Sequence, residues 1–440
     1  MVKKIKTGRK TRALWHESSK QAENFTSKLL KWWFVKHGGE IVDSIEESPD
    51  IILASACSPR EASILQSGRK LASKAHIPFL MGGAEAYCGA TYLAWADYIC
   101  IGEGYNVIRE LATSGLDALG MDNILSIHDP DAEIEPDYYI PWGQLPVIQT
   151  TEKGCYYLAG RGCRNKCKFC YTSWTLPHSV VPEQIRLRAE AKLPKNKHIL
   201  YVTNDDGGLA RYSGSTTVKQ FLTEHRSQWP RLLRLGIEGI TEERRKALNK
   251  PVSDEDLAAC IIKARELGIE LQLFFIIGWD DEVPPEEAML NMVQMVGIEK
   301  VRWPRIHLKY TWFEPSPHTP LGDYSFERLR SWDYKLAAMC LRSYSGRYRV
   351  FKAGLPGRAV WCAMLQRLPR RKVPDWYENR KQIEVCKSFR EAVKIARPIV
   401  GQEYIDGTAK DVPWKRVKTR IVSKPQDKQK KYAPKGEQNG

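Results

Sequence analysis

Short apolar runs alternating with amphipathic helical segments are the feature that most narrows the folds open to this chain. In the N-terminal part, strands are expected at 13–15, 51–56, 78–81 and 98–101. Helices are expected between them, over 25–36, 61–75 and onward from about Asn106. Phe25, Leu29, Trp32 and Trp33 recur near i, i+4, i+7 and i+8, one face of a helix, and His37-Gly38-Gly39 ends it. Strands and helices in this order imply parallel βαβ units with a sheet covered on both faces. Small-residue turns follow three of the strands, at Ser58-Pro59, Gly82-Gly83 and Gly102-Glu103-Gly104. In open parallel sheets such turns form the ligand-binding edge.

Pro130, Pro136, Pro141 and Gly143 mark 129–144 as a linker. The alternation then resumes, with strands expected at 155–158, 198–203, 234–237, 271–277 and 305–311, which suggests a barrel or partial barrel. Beyond Leu321 the pattern turns mixed and mostly helical, and 424–440 is polar, lysine-rich and expected to be disordered. The chain's 440 residues suit two or three domains.

Charge and cysteine usage exclude several classes. No apolar run reaches the roughly 18 residues of a membrane span, and the basic start is not followed by the apolar stretch of a secretory signal. Eleven scattered cysteines do not resemble a disulfide framework, so a reducing, cytoplasmic setting is expected. The net charge is +16, yet residues 341–440 alone hold 25 Lys and Arg against nine Asp and Glu. The first 340 residues are neutral, with 43 of each sign. In the basic stretch, Tyr344, Tyr348, Phe351, Trp361, Trp376, Tyr377, Phe389 and Trp414 are interleaved with Arg367, Arg370, Arg371, Lys372, Lys415, Arg416, Lys418 and Arg420. Basic groups neutralise phosphates and aromatic faces stack on bases, so contact with a nucleic acid is expected there. The alternative is a solvated helical face with a solubilising tail.

The sharpest motif is Cys163, Cys167 and Cys170, a C-x3-C-x2-C run placed directly after the first strand of the second domain. Three thiolates can hold a [4Fe-4S] cluster and leave one iron open. Zinc held by the same thiolates and a nearby imidazole such as His178 is the rival, and would make this a zinc-stapled nucleic-acid-binding protein. Lys166 and Lys168 would offset part of a cluster's negative charge.

Residues 155–175 resemble the cluster loop of the radical S-adenosylmethionine (SAM) superfamily, where this spacing follows the first strand of a partial (β/α)6 barrel and an aromatic residue, here Phe169, precedes the third cysteine. The resemblance implies a [4Fe-4S] cluster on Cys163, Cys167 and Cys170. SAM would chelate the open iron and be cleaved to a 5′-deoxyadenosyl radical, with electrons from a reductant such as flavodoxin or ferredoxin. Leu235-Gly236-Ile237-Glu238-Gly239 is similar to the family's Gly-Ile-Glu strand, which implies that Glu238 contacts SAM. Phe274-Phe275-Ile276-Ile277-Gly278 resembles the strand that ends in a glycine near the adenine, here Gly278. Asn204-Asp205-Asp206-Gly207-Gly208 stands where the family binds the SAM amino group, with Asp205 as candidate, though its residues are not the usual ones. The Pro315–Leu321 segment is similar to one that follows the sixth strand.

The first domain is similar to the Rossmann-like cobalamin-binding domain of one large subclass, which includes methyltransferases. The Asp-x-His-x-x-Gly signature that supplies an axial imidazole to cobalt is missing, because Val35 stands where the aspartate belongs before His37. Cobalamin would then bind without a protein ligand. The cysteine triad of the neighbouring methylthiotransferases is matched only at Cys57. The expected organisation is a Rossmann-like domain and linker at 1–145, a radical SAM partial barrel at 146–325, a basic α-rich region at 326–423 and a tail. The expected activity is methylation or related carbon-centred chemistry on a nucleic acid, a small metabolite or a peptide.

Overall fold

The computed structural model describes residues 9–18, 25–149, 154–192, 198–202, 215–224, 229–280, 287, 306–331, 348–351 and 354–419. The N-terminal sheet consists of β1 (Arg12–Trp15), β2 (Glu40–Val42), β3 (Ile51–Ser55), β4 (Phe79–Gly82), β5 (Tyr98–Cys100) and β6 (Ile124–Ser126), in the order β2-β1-β3-β4-β5-β6. The first five strands run parallel and β6 is antiparallel to β5. This is a doubly wound order whose direction reverses between β1 and β3, the switch point where such sheets open a crevice. The period of two in β3 and β4 sorts the side chains between two layers. Ile51, Leu53 and Leu80 pack with the helices Phe25–Lys36 and Tyr105–Ser114, and Ile52, Ala54, Phe79 and Met81 pack on the other face.

The second sheet region begins with β7 (Ile148–Gln149), β8 (Gly154–Leu158) and β11 (His198–Val202), of which β8 and β11 are parallel. A short antiparallel pair, β9 (Gly160–Arg161) with β10 (Ser179–Val180), stands beyond the end of β8. The strands β12 (Ser215–Thr216), β13 (Leu232–Glu238), β14 (Glu270–Ile277), β15 (Ile306–Trp312) and β16 (Tyr348–Phe351) then form one parallel sheet. Together with β8 and β11 they make the partial barrel. Along β14, Leu271, Leu273, Phe275 and Ile277 are buried against the helices Val218–Thr223 and Asp254–Glu266, which leaves Phe274 and Ile276 on the opposite, inner face. Strand β16 lies past the boundary expected at 325, so the barrel sheet draws on the basic C-terminal stretch as well.

That stretch is not an appendage. Its helices, led by Pro356–Leu365 and Phe389–Val400, share one apolar core with a face of the N-terminal sheet. The aromatic residues expected to stack on bases are core residues instead: Trp361 and Trp376 are fully buried, Phe389 is nearly so, and Trp414 is 9% exposed. Truncating a buried tryptophan typically costs about 3–5 kcal/mol, which is reason enough for these residues. The side chains of Tyr344, Tyr348 and Phe351 lie outside the described residues.

The basic groups are also largely committed. Arg367 is buried and donates to the carbonyls of Gly322, Tyr324 and Tyr404. Arg371 pairs with Asp411 at 3.1 Å, Lys415 with Asp323 at 3.1 Å, and Arg416 and Lys418 reach Asp131 and Glu133 in the linker. Trp361, Trp376, Phe389 and Trp414 therefore serve the core in place of a stacking surface, while Arg371, Lys415, Arg416 and Lys418 pair with carboxylates and keep their side chains partly exposed. Arg420 and the tail at 424–440 lie outside the described residues. Among the described residues, no helix is long and apolar enough to cross a membrane.

Candidate functional site

The cysteine loop is shaped by its backbone before any ligand is considered. After β8 the chain pairs briefly as β9 and turns at Gly162, whose φ is +67°. A Cβ there would stand 2.4 Å from the Pro177 carbonyl oxygen, so only glycine lets the loop close beneath Cys163. The Cys167 carbonyl accepts the Cys170 N–H at 3.2 Å and the Trp174 indole N–H at 2.9 Å. Lys166 lies over the Trp174 ring and donates to the Ser173 carbonyl at 2.9 Å. Cys163 and Cys167 are buried and Cys170 is half-buried.

A second segment clamps the loop from the barrel side. The Leu248 carbonyl accepts the Lys168 N–H at 3.0 Å, and the Asn249 amide donates to the Lys166 carbonyl at 2.8 Å. The next residue, Lys250, is buried and stands 3.8 Å from the Glu238 carboxylate at the end of β13. Glu238 has a φ of +71°, and the register of β13 slips between Gly236 and Glu238. A non-glycine residue in the left-handed region is costly and concentrates at functional sites. Gly236 is needed for this arrangement, since a Cβ on it would meet the Glu238 carboxylate at 2.3 Å and the Lys250 ammonium at 3.1 Å.

The electrostatics tie these groups to the thiols. Burial pushes the Cys167 thiol up to about 11, Lys250 opposes that rise, and Cys170, Cys163 and Glu238 add to it. The three cysteines and Glu238, expected from widely separated motifs, are thus one neighbourhood. Lys250 was missed in the sequence. Its signal is weak, because an Asn-Lys pair after a helix reads as surface until the fold buries it. Lys166 does lie near Cys163, as expected, whereas Lys168 is exposed.

Among the described residues, no three Cys, His, Asp or Glu side chains converge on a single point where one ion would sit. A cube binds each thiolate to its own iron, so it requires three thiols around a space rather than around an atom. Buried thiols on one glycine-shaped loop, with a buried ammonium beside them, suit that donor set. Phe169 turns toward a cavity at the ends of β14 and β15. Gly278, with φ +105°, lies one residue past β14 against Trp312 and Phe389. Asp205 lies outside the described residues.

The three strand-end turns of the first domain meet the cysteine loop. Burial drives the Tyr171 phenol well above its ordinary range, and its charged or polar neighbours are Cys57, Glu85, Arg161 and Glu103. Cys57 and Glu85 flank the first two turns, Glu103 lies in the third, and Arg161 belongs to β9. Arg161 pairs with Glu103 at 3.1 Å, a bridge largely withdrawn from solvent that joins the two domains. The Tyr87 and Tyr105 hydroxyls, beside Glu103, are buried without a hydrogen-bond partner among the described residues. Orphaned donors at a sheet's ligand-binding edge are what a bound group would satisfy. His37 is at the other end of that sheet, just before β2 and stacked edge-on against Trp33, so it is no axial ligand for this edge.

Glu85 is a buried carboxylate near this edge, on the helix Ala84–Ala94. It accepts hydrogen bonds from the Tyr92 hydroxyl at 2.5 Å and the Gln366 amide at 2.9 Å, yet its burial lifts its pKa from 4.5 to about 7. The folded state therefore holds this proton more tightly than the unfolded chain does. Its contribution to stability is complete below about pH 4.5 and is lost as pH rises through about 7, a loss of roughly 3 kcal/mol at most. Urea unfolding from pH 4.5 to 8 should show the stability of the wild type falling relative to Glu85→Gln. A difference that stays constant with pH would refute the assignment.

No family model matches the chain. Over 246 residues it is 25% identical to an uncharacterized protein of Methanocaldococcus jannaschii, covering 49% of this chain and 54% of that protein. The chain thus spans about half the length of the curated relative it matches. Among solved structures it is similar to the radical S-adenosylmethionine methyltransferase TsrM from Kitasatospora setae, solved with cobalamin and a [4Fe-4S] cluster bound. That likeness has 12% identity and a TM-score of 0.48, over 71% of this chain and 77% of the other. It is also similar to the cobalamin-dependent S-adenosylmethionine radical enzyme OxsB with aqua-cobalamin bound, at 14% identity and a TM-score of 0.48, over 66% and 52%.

Proposed function

We propose that this chain is a radical SAM enzyme that carries a [4Fe-4S] cluster on Cys163, Cys167 and Cys170 and modifies a carbon centre of a small molecule, by methylation or a related step. The observation that carries the reading is the meeting of the cysteine loop with Glu238 and Lys250 at the mouth of a partial barrel. When bound, such a cluster would supply the one-electron reduction by which SAM is cleaved to methionine and a 5′-deoxyadenosyl radical. Cys163, Cys167 and Cys170 would hold the cluster. Glu238, presented by the bulge in β13, offers an acceptor for the amino or hydroxyl groups of SAM, and Lys250 keeps that carboxylate in place. Phe169 and the ends of β14 and β15 exclude water from the reacting centre. A small one-electron donor such as flavodoxin or ferredoxin is the matching reductant. A small-molecule substrate is preferred over a nucleic acid because Trp361, Trp376, Phe389 and Trp414 of the basic stretch are core.

For the first domain we propose cobalamin at the edge formed by the three strand-end turns, with no protein imidazole on the cobalt. The unpartnered Tyr87 and Tyr105 hydroxyls support a ligand there. Two measurements test the reading. Anaerobically purified protein should be brown, contain iron and sulfide, and release 5′-deoxyadenosine from SAM when reduced. A colourless protein with tightly held zinc would overturn it in favour of the metal-stapled alternative. Hydroxocobalamin offered under reducing conditions should copurify with the chain through gel filtration. Failure to bind would make the first domain a scaffold for the cysteine loop.

A further inference from the structure

A cavity of about 340 Å³ opens where all three regions of the chain meet. Its apolar walls include Phe169 of the cysteine loop, Ile276 of β14, and Trp312 and Phe313 at the end of β15. Its charged groups come from elsewhere: Arg60 from the turn after β3, Glu314 just past β15, and Arg358 from the helix Pro356–Leu365. Arg60 lies 3.4 Å from the Glu314 carboxylate, and Arg358 also acts on it. Arg358 is 4.0 Å from Glu384, which is itself paired with Arg380 at 3.0 Å. At the cavity itself two guanidinium groups, Arg60 and Arg358, face one carboxylate, Glu314, so its lining keeps an excess positive charge. Pockets of this size with mainly apolar walls and a few convergent polar groups are typical of small-molecule sites.

We propose that this cavity is the substrate site, and that the substrate combines a flat apolar part with an anionic group held by Arg60 and Arg358. The inference rests on the radical SAM reading for its chemistry but not for its binding. The aromatic walls accept a planar face, and guanidinium forks bind carboxylate or phosphate in two-pronged fashion. Arg60 stands at the switch point of the N-terminal sheet, so the first domain contributes to substrate selection as well as to holding the cysteine loop.

The test uses the full chain and calorimetric titration with 2-naphthoate, 1-naphthyl phosphate and uncharged 2-naphthamide. At least one of the two anions should bind about tenfold or more tightly than the amide, and the better anion identifies the group recognised. Arg60→Gln and Arg358→Gln should each weaken that anion about ten- to a hundredfold while the amide is little affected. Arg231→Gln, an exposed substitution just before β13 at the opposite end of the barrel strands, should change neither. Equal binding of anion and amide, or unchanged affinity in both arginine variants, would overturn the proposal. Displacement of the naphthyl anion by SAM in simple competition would also overturn it, since the cavity would then belong to SAM. A chain that binds the anion through these arginines but assembles no cluster upholds the inference and refutes the reading it draws on.

Discussion

Replacing Cys163, Cys167 or Cys170 by alanine should cost more than about a hundredfold in 5′-deoxyadenosine formation, because loss of even an outer-shell partner of a metal site commonly costs ten- to a hundredfold. A direct thiolate matters more than its neighbours. Iron and sulfide content should fall along with activity in each single variant, since two thiolates cannot anchor a cube. The contrast is Cys260→Ala. Cys260 is fully buried in the helix Asp254–Glu266 among apolar neighbours, so its loss should leave the iron content intact and lower only stability. Full iron, sulfide and SAM cleavage in the triple alanine variant would refute the assignment. Because burial pushes the Cys167 thiol up to about 11, cluster assembly must release a proton there. Reconstitution should therefore be faster at pH 8.5 than at pH 7.

Removing the Arg161 guanidinium should destabilise the protein by about 3–5 kcal/mol, the usual consequence of leaving a buried partner charge uncompensated. The stranded group is Glu103, whose side chain is 7% exposed. Burial already raises its carboxyl pKa despite the pull of Arg161, so desolvation outweighs the attraction even in the intact pair. The double variant Arg161→Met with Glu103→Leu should therefore recover most of the stability lost in Arg161→Met alone. Urea unfolding of the single and double variants measures this directly. If Arg161→Met matches the wild type, the bridge does not hold the domains together. The same single variant should also lose cluster content, since Arg161 immediately precedes the Gly162 turn that presents Cys163. Recovery of stability in the double variant without recovery of cluster would separate the bridge's structural role from its role in placing the loop.

Much of the architecture was legible because it is written locally. Each expected strand of the N-terminal sheet and the barrel appears within a few residues of its place, from β1 to β15. Apolar runs of three to eight residues between turn signals need no distant partner to declare themselves. The cysteine loop was legible for the same reason, since its three cysteines and its shaping glycine lie within nine residues. The strands β2, β6, β7, β9, β10, β12 and β16 were not, because most are only two or three residues long and none exceeds four, too short to declare a period of their own.

Only the tertiary structure decided the rest, because it depends on which distant surfaces are removed from water. Composition placed aromatic and basic residues together at 341–440 but could not say whether the rings would stack on a partner or on the chain itself. The shared core with the N-terminal sheet answers that, turning Trp361, Trp376 and Phe389 inward and drawing Arg367 onto backbone carbonyls. Lys250 and Arg161 are further cases. As letters they are ordinary surface cations, and burial beside Glu238 and Glu103 makes one a partner of the cysteine site and the other a bridge between domains. The sequence by itself determined the longer strands and helices and the cysteine spacing, whose signals are short-range. The charges that surround those cysteines come from segments tens of residues away, and only the fold brings them within the few ångströms over which a low-dielectric interior makes them act.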